Sequence, residues 1–350
     1  MAEEARMKVA ALDGPGVSRI IEKPLPRIAE DYVLVKVVAA PMCNEHLAYE
    51  HWDFRDRNRW DSLGHEAAGE VVEARAGSPF RPGDRVVVLS GYPCGRCALC
   101  VSGRYAHCAD TEDPLAVCSG DSGECGFAQY MIKRERLLLR IPDGMPYEHA
   151  AMACCGMGAT YTAMENMGVA AGHTVLVTGL GQVGLGAVIN GQARGARVIC
   201  AGRSPYRRAL ARQLGAELIV DLGTPDAALA AVQDFTGGKG VDHVIDCSAQ
   251  AGHQRFGLDA AGRGGRVTFL GESGELSLHV DQDLIQKGVT LYGSLDLYLQ
   301  HAPGMLDAIS RTGPLIDRFI THTFPLDEIE QAWKLQLTRE CGKIILHPWR

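Results

Sequence analysis

Cys94, Cys97, Cys100 and Cys108 lie within 15 residues as C-x2-C-x2-C-x7-C in PCGRCALCVSGRYAHC. Two-residue gaps let successive thiolates fold around one centre. Four thiolates satisfy tetrahedral zinc and leave no position open. An iron–sulfur cluster also takes four cysteines; the tight spacing within one lobe favours zinc. Such a site braces a loop and does no chemistry. A second set is scattered: Cys43, then Gly64-His65-Glu66, then the pair Cys154-Cys155. One Cys, one His and a third Cys or Glu make a three-ligand zinc whose fourth position is open to water or substrate.

Gly179-Leu180-Gly181-Gln182-Val183-Gly184 spells G-x-G-x-x-G directly after the apolar run TVLVT and before a helix-like stretch. That context is what a dinucleotide-binding turn requires. Its glycines permit a tight turn and close approach of backbone to a pyrophosphate at the helix N-terminus. About 20 residues on, an NAD site has an acid for the ribose 2′-hydroxyl. Here Gly202 stands in that place, followed by Arg203 and Ser204. Glycine removes the repulsion of a 2′-phosphate, and Arg203 and Ser204 can bind one. Arg207 and Arg208 follow; they serve the phosphate or a solvated helix face. The pattern favours NADP(H), with NAD(H) the alternative.

These side chains need a scaffold. Six short β-branched runs begin at Thr174, Arg197, Leu218, His243, Arg266 and Thr290, spaced 21–25 residues apart. Helical segments fit between them, such as 206–214 and 226–235. Alternation of this kind predicts βαβ units in a doubly wound parallel sheet, hence an α/β fold. The first 150 residues read otherwise: extended runs at 32–40, 70–74 and 85–90 sit among Gly and Pro turns and predict a mainly β domain. From about Leu295 the rhythm stops; a helix over 326–337 and a final strand KIILH are expected to pack back on the first domain. The expected division is 1–153, carrying the cysteine lobe at about 91–110, then 154–294, then 295–350.

Composition narrows the classes. The chain has 350 residues, 46% hydrophobic and 22% charged, with net charge −7. That charge argues against nucleic-acid binding. No uninterrupted apolar stretch is long enough to span a membrane. The first ten residues lack the apolar core of a secretory signal, so a cytoplasmic location is expected. Twelve cysteines in such a chain should be mostly reduced.

The motifs together resemble the zinc-dependent medium-chain dehydrogenases/reductases, of the alcohol and polyol dehydrogenase group. The resemblance rests on GHEAAGEVVE from Gly64, RPGDRVVV from Arg81, the four-cysteine lobe, GFAQY from Gly126 and GLGQVG from Gly179, and covers nearly the whole chain. It implies a GroES-like β domain completed by the C-terminal tail, a Rossmann-like domain between, two zincs per chain with the catalytic one at the domain cleft, and a homodimer or homotetramer. Cys43 and His65 match that family's first two catalytic ligands. Glu66 matches the acid that binds the zinc or stands behind it. Cys155, in CGMGATY, matches the third ligand, with Cys154 the alternative.

The departure is at Cys43-Asn44-Glu45-His46. The family has Ser or Thr two residues after the cysteine, starting a proton relay, then Asp, orienting the histidine ligand. Glu45 and His46 stand in those places. Glu45 has three readings: it takes the alcohol proton, it holds a cationic or polyhydroxyl substrate, or it replaces Asp as the orienter of His65. His46 and His51 are further relay candidates. The expected reaction is reversible interconversion of a secondary alcohol and its ketone, with zinc as Lewis acid and hydride passing to the nicotinamide. Polar residues at Glu45, His46, Glu50 and His51 favour a polyol, sugar or aminocyclitol-like substrate. Trp52 and Trp60 could line a pocket or sit in core. Two rivals stand beside it: an NADPH-dependent reductase of an activated C=C or C=N bond on the same fold, and a cofactor-binding regulator without turnover.

Overall fold

The computed structural model describes residues 5–52, 54, 59–272 and 275–350. The chain forms two compact units. The first comprises residues 1–156, 298–302 and 320–350; the second comprises 157–297 and 303–319.

In the first unit, β1 (Arg6–Gly14) and β2 (Val17–Pro24) form an antiparallel pair. Five further strands follow: β3 (Tyr32–Pro41), β4 (Ala67–Ala74), β5 (Arg85–Val88), β6 (Tyr130–Arg134) and β7 (Leu138–Arg140). The chain then enters the second unit through β8 (Thr174–Thr178), β9 (Arg197–Gly202), β10 (Leu218–Asp221), β11 (Val241–Asp246), β12 (Ala261–Phe269) and β13 (Thr290–Gly293). It returns with β14 (Ile320–Pro325) and β15 (Lys343–His347). The first unit's main sheet runs β14-β15-β3-β4-β5-β7, with β6 on β3. Its core joins Val35, Val37, Phe127, Trp333 and Ile344, so the C-terminal tail supplies part of the same apolar interior.

The second unit is the expected α/β sheet. All six runs are strands, in the order β10-β9-β8-β11-β12-β13, and every neighbouring pair is parallel. Buried residues such as Leu176, Ile199, Val244 and Val267 form its core, as continuous apolar strands covered on both faces should. The order reverses between β8 and β11, the switch point at which doubly wound sheets bind ligands.

The tail is more divided than its sequence rhythm suggested. Residues 303–319 pack with the second unit, and 298–302 with the first. That short segment docks on the cysteine lobe: Leu299 N–H donates to the Gly103 carbonyl at 3.0 Å, and His107 Nε2 meets the Tyr298 hydroxyl at 2.9 Å. The predicted helix over 326–337 opens with a 3-10 turn at Leu326–Glu328 and continues as an α-helix over Ile329–Thr338. Among the described residues, no helix is long and apolar enough to cross a membrane.

Candidate functional site

The four lobe cysteines converge. Neighbouring sulfurs lie 3.9 Å (Cys94–Cys100), 3.5 Å (Cys97–Cys100), 3.9 Å (Cys97–Cys108) and 3.6 Å (Cys94–Cys108) apart. A tetrahedral zinc with bonds of about 2.3 Å needs S···S edges of about 3.8 Å, so this donor set fits zinc. Backbone N–H groups of Arg96 and Cys97 hold the Cys94 thiol down at about 6, readying it as thiolate. The lobe's flanks are tied to the sheet. Arg136 Nη2 donates to the Pro93 carbonyl at 2.6 Å, and Arg134 Nε donates to Glu112 Oε1 at 2.6 Å.

The second cluster is assembled from three distant segments. Cys43 follows β3, where Met42 N–H donates to the Ile344 carbonyl of β15 at 2.9 Å. Gln336, on the tail helix, donates to the Cys43 carbonyl. The short helix His46–His51 after it is held by Tyr49 stacking on Trp333. His65 follows Gly64, whose φ is +90°; a Cβ there would come within 2.3 Å of the Phe127 ring, so only glycine permits the approach. Cys155 follows the helix Tyr147–Ala151. Donor atoms of Cys43, His65, Glu66 and Cys155 all lie within 4.8 Å of one another, and the Cys43 and Cys155 sulfurs are 3.7 Å apart. Cys154 points elsewhere, its sulfur 3.4 Å from the His65 carbonyl oxygen.

Glu45 organises this cluster. Its Oε1 lies 2.6 Å from His65 Nδ1 and accepts the His65 backbone N–H at 3.1 Å, while Oε2 accepts the Cys43 N–H at 3.0 Å. Burial pushes the Glu45 carboxyl up, but the charge and hydrogen bond of His65 overcome it and hold it at about 2. An ionised carboxylate only accepts, so Nδ1 carries a proton; a metal at the cluster would displace the Nε2 proton and take that nitrogen's lone pair. Thiolates, an imidazole nitrogen and a carboxylate are the donors zinc takes, so this set fits as well.

Glu66 is fully buried behind His65, and both its oxygens are engaged. Oε1 meets Lys343 Nζ at 2.5 Å, and Oε2 accepts the Gly156 N–H at 3.0 Å. Burial raises its carboxyl to about 7 despite the Lys343 charge. The Lys343 ammonium, buried but held by Glu66 and the nearby thiols, titrates above its ordinary range. Sequence reasoning missed Lys343. The signal was a lysine inside an otherwise apolar terminal strand, a position that demands a counter-charge. His46 lies beside the cluster, its Nδ1 3.1 Å from the Cys43 carbonyl oxygen. His51 is not brought in; it is exposed and faces Glu50 at 3.4 Å. Trp52 and Trp60 are both about 40% exposed, so neither is core.

The glycine turn sits at the switch point of the second unit. A Cβ on Gly184 would lie 2.0 Å from the Gly179 carbonyl oxygen, whereas one on Gly181 would meet nothing within 4 Å. The helix Gln182–Ala193 therefore starts against an open space, without a side-chain cap at Gly181. Among the described residues, both side-chain polar atoms of buried Gln182 lack partners. Asp246, at the end of β11, accepts from Thr178 Oγ1 at 2.7 Å and Ser248 Oγ at 2.6 Å, fixing the turn's flank. An open N-terminus beside an orphaned amide fits a dinucleotide pyrophosphate. At the end of β9, a Cβ on Gly202 would lie 2.9 Å from the Leu180 side chain, so any larger residue there would have to displace Leu180. Val183 continues the helix's first turn. Arg203 is exposed; Ser204 caps the helix Pro205–Gln213 by accepting the Arg207 N–H at 3.4 Å. Arg208 is engaged: its Nη1 lies 2.7 Å from Asp221 Oδ2.

Comparison with known proteins agrees with this geometry. Residues 29–143 match the alcohol dehydrogenase GroES-like domain, and residues 183–311 match the zinc-binding dehydrogenase domain. The zinc-type alcohol dehydrogenase-like protein YphC of Escherichia coli (strain K12) is 30% identical, over 97% of this chain and 98% of its own length. L-threonine 3-dehydrogenase of Bacillus licheniformis is 31% identical, over 93% and 94%. A zinc-binding dehydrogenase structure from Sinorhizobium meliloti 1021, solved with NADP, superposes with a TM-score of 0.81 at 26% identity, covering 99% of this chain and all of that one. The chain is an enzyme of the zinc-dependent medium-chain alcohol dehydrogenase family.

Proposed function

We propose that the enzyme interconverts a secondary alcohol and its ketone, using one zinc at Cys43, His65 and Cys155, a second at the four-cysteine lobe, and NADP(H) as hydride carrier. The observation that carries this reading is the Glu45–His65 contact, which fixes the imidazole with Nε2 facing two thiols. Bound zinc supplies Lewis acidity toward an oxygen substrate, and the nicotinamide supplies the hydride acceptor.

The chain's own residues do the rest. Glu45 is a positioning residue: both oxygens are spent on His65 and Cys43, so it orients the ligands and takes no substrate proton. Glu66, tied to Lys343 and Gly156, stands behind the ligand set as a fixed counter-charge. His46, half-buried beside Cys43, is left as the group to pass a proton outward. Arg203 and Ser204 beside Gly202 support the 2′-phosphate, and the NADP of the Sinorhizobium relative agrees. The named activity of the threonine dehydrogenase relatives, on a hydroxylated amino acid, supports a polar secondary alcohol. The test is a panel of polyols, sugars and amino alcohols with NADP+ and NAD+, read as nicotinamide reduction. NADP+-linked oxidation of a secondary alcohol is expected. Inertness toward every alcohol, with reduction of an activated C=C or C=N bond by NADPH, would replace this reading.

A further inference from the structure

Asp221 ends β10 and stands in register beside Gly202, the last residue of β9. It therefore borders the place where the cofactor's adenosine ribose is read. Its carboxylate is fixed on one side by the Gly223 N–H at 2.8 Å and on the other by Arg208 at 2.7 Å. The Gly223 N–H, then Arg208, hold the Asp221 carboxyl below its ordinary range, so it stays anionic. Arg203, on the same rim, is exposed, and its charge reaches His253. Cations at this rim thus differ in availability: Arg203 faces solvent, while Arg208 is neutralised by an acid.

We propose that Asp221 sets the discrimination between phosphorylated and unphosphorylated cofactor, by holding Arg208 and adding a negative charge beside the 2′ position. This rests on the NADP(H) reading of the same site. A guanidinium already paired to a carboxylate has fewer free donors for a phosphate, and the carboxylate repels the phosphate dianion. Arg203 and Ser204 then supply the discrimination, and Asp221 limits it.

The experiment is calorimetric binding of adenosine 2′,5′-bisphosphate and of 5′-AMP to the full chain, so no turnover enters. The variants are Asp221→Asn, Arg208→Gln, the double variant and Arg203→Gln. Asparagine keeps an oxygen for the Gly223 N–H, so the turn survives. Asp221→Asn should tighten the bisphosphate about tenfold and leave 5′-AMP unchanged. Arg208→Gln alone should weaken the bisphosphate by unmasking the Asp221 charge, and the double variant should fall between wild type and Asp221→Asn, its shortfall from Asp221→Asn measuring what the released Arg208 contributes. Weaker bisphosphate binding in Asp221→Asn would overturn the proposal, because Asp221 would then be presenting Arg208 and not withholding it. Weaker 5′-AMP binding would also overturn it, making Asp221 a partner of the ribose hydroxyls. The NADP(H) reading fails separately, if the wild-type chain binds both nucleotides alike and Arg203→Gln changes neither.

Discussion

The cysteine lobe and the mixed cluster each gather four potential metal donors, yet the chain builds them in opposite ways. The lobe takes four sulfurs from one short segment and reaches solvent through Cys94 and Cys97. The mixed cluster takes two sulfurs, an imidazole and a carboxylate from three segments, and surrounds them with the buried charges Glu45 and Lys343. A contiguous set of thiolates closes on itself. A distributed set needs outside groups to orient each donor, and those groups leave it adjustable. That contrast is what separates a brace from a reactive centre.

The largest expected effect breaks the two apart. His65→Ala should lower turnover by roughly a thousandfold or more, measured by steady-state kinetics, while adenosine 2′,5′-bisphosphate binding persists. Cys94→Ser should keep turnover within the same decade and lower thermal stability instead. Loss of nucleotide binding in His65→Ala would mean that the mixed cluster is a brace too.

Next comes the buried pair behind the mixed cluster, which has no counterpart in the lobe. Lys343→Met strands the Glu66 carboxylate and should cost about 3–5 kcal/mol in denaturant unfolding. Adding Glu66→Gln should recover most of that. Equal losses in the single and double variants would show that Lys343 contributes packing alone.

Acid probes the second unit. His243 is buried, and its Nε2 contacts His173 Nδ1 at 3.0 Å. Burial, then the His173 charge, with Arg266 adding and Asp242 opposing, depress the His243 imidazole to about 4. The unfolded chain binds that proton near 6.5, so the stabilisation is complete above 6.5 and is lost as pH falls toward 4. The loss is up to about 3 kcal/mol. His243→Gln should flatten that slope of stability against pH over this window; an unchanged slope would assign it to another group.

The smallest effect falls on orientation. Glu45→Gln keeps oxygen and amide in place but removes the charge. It should weaken zinc at the mixed cluster about 10–100-fold and leave the lobe's zinc unaltered, read by competition with a chelator.

Legibility followed the same contrast. The lobe was readable because its ligands are neighbours in sequence, and the six strands because each carries its own apolar run. Glu45 had three open readings, since spacing cannot say which way a side chain turns; its contacts with His65 and Cys43 are tertiary. Lys343 lies 277 residues from Glu66, and no local pattern links them. Arg208 read as a phosphate partner or part of a solvated helix face, because its acidic partner sits on the next strand, out of reach of any local pattern. The split of residues 298–319 between the units likewise depends on packing, which the end of the β-α rhythm does not encode.

The most direct test is zinc per chain by elemental analysis of purified, chelator-washed protein. Two zincs are predicted, falling to one in both Cys43→Ala and Cys94→Ser, with turnover surviving only in the second. One zinc in the wild-type chain, lost on Cys94→Ser and retained on Cys43→Ala, would contradict a catalytic metal at the mixed cluster.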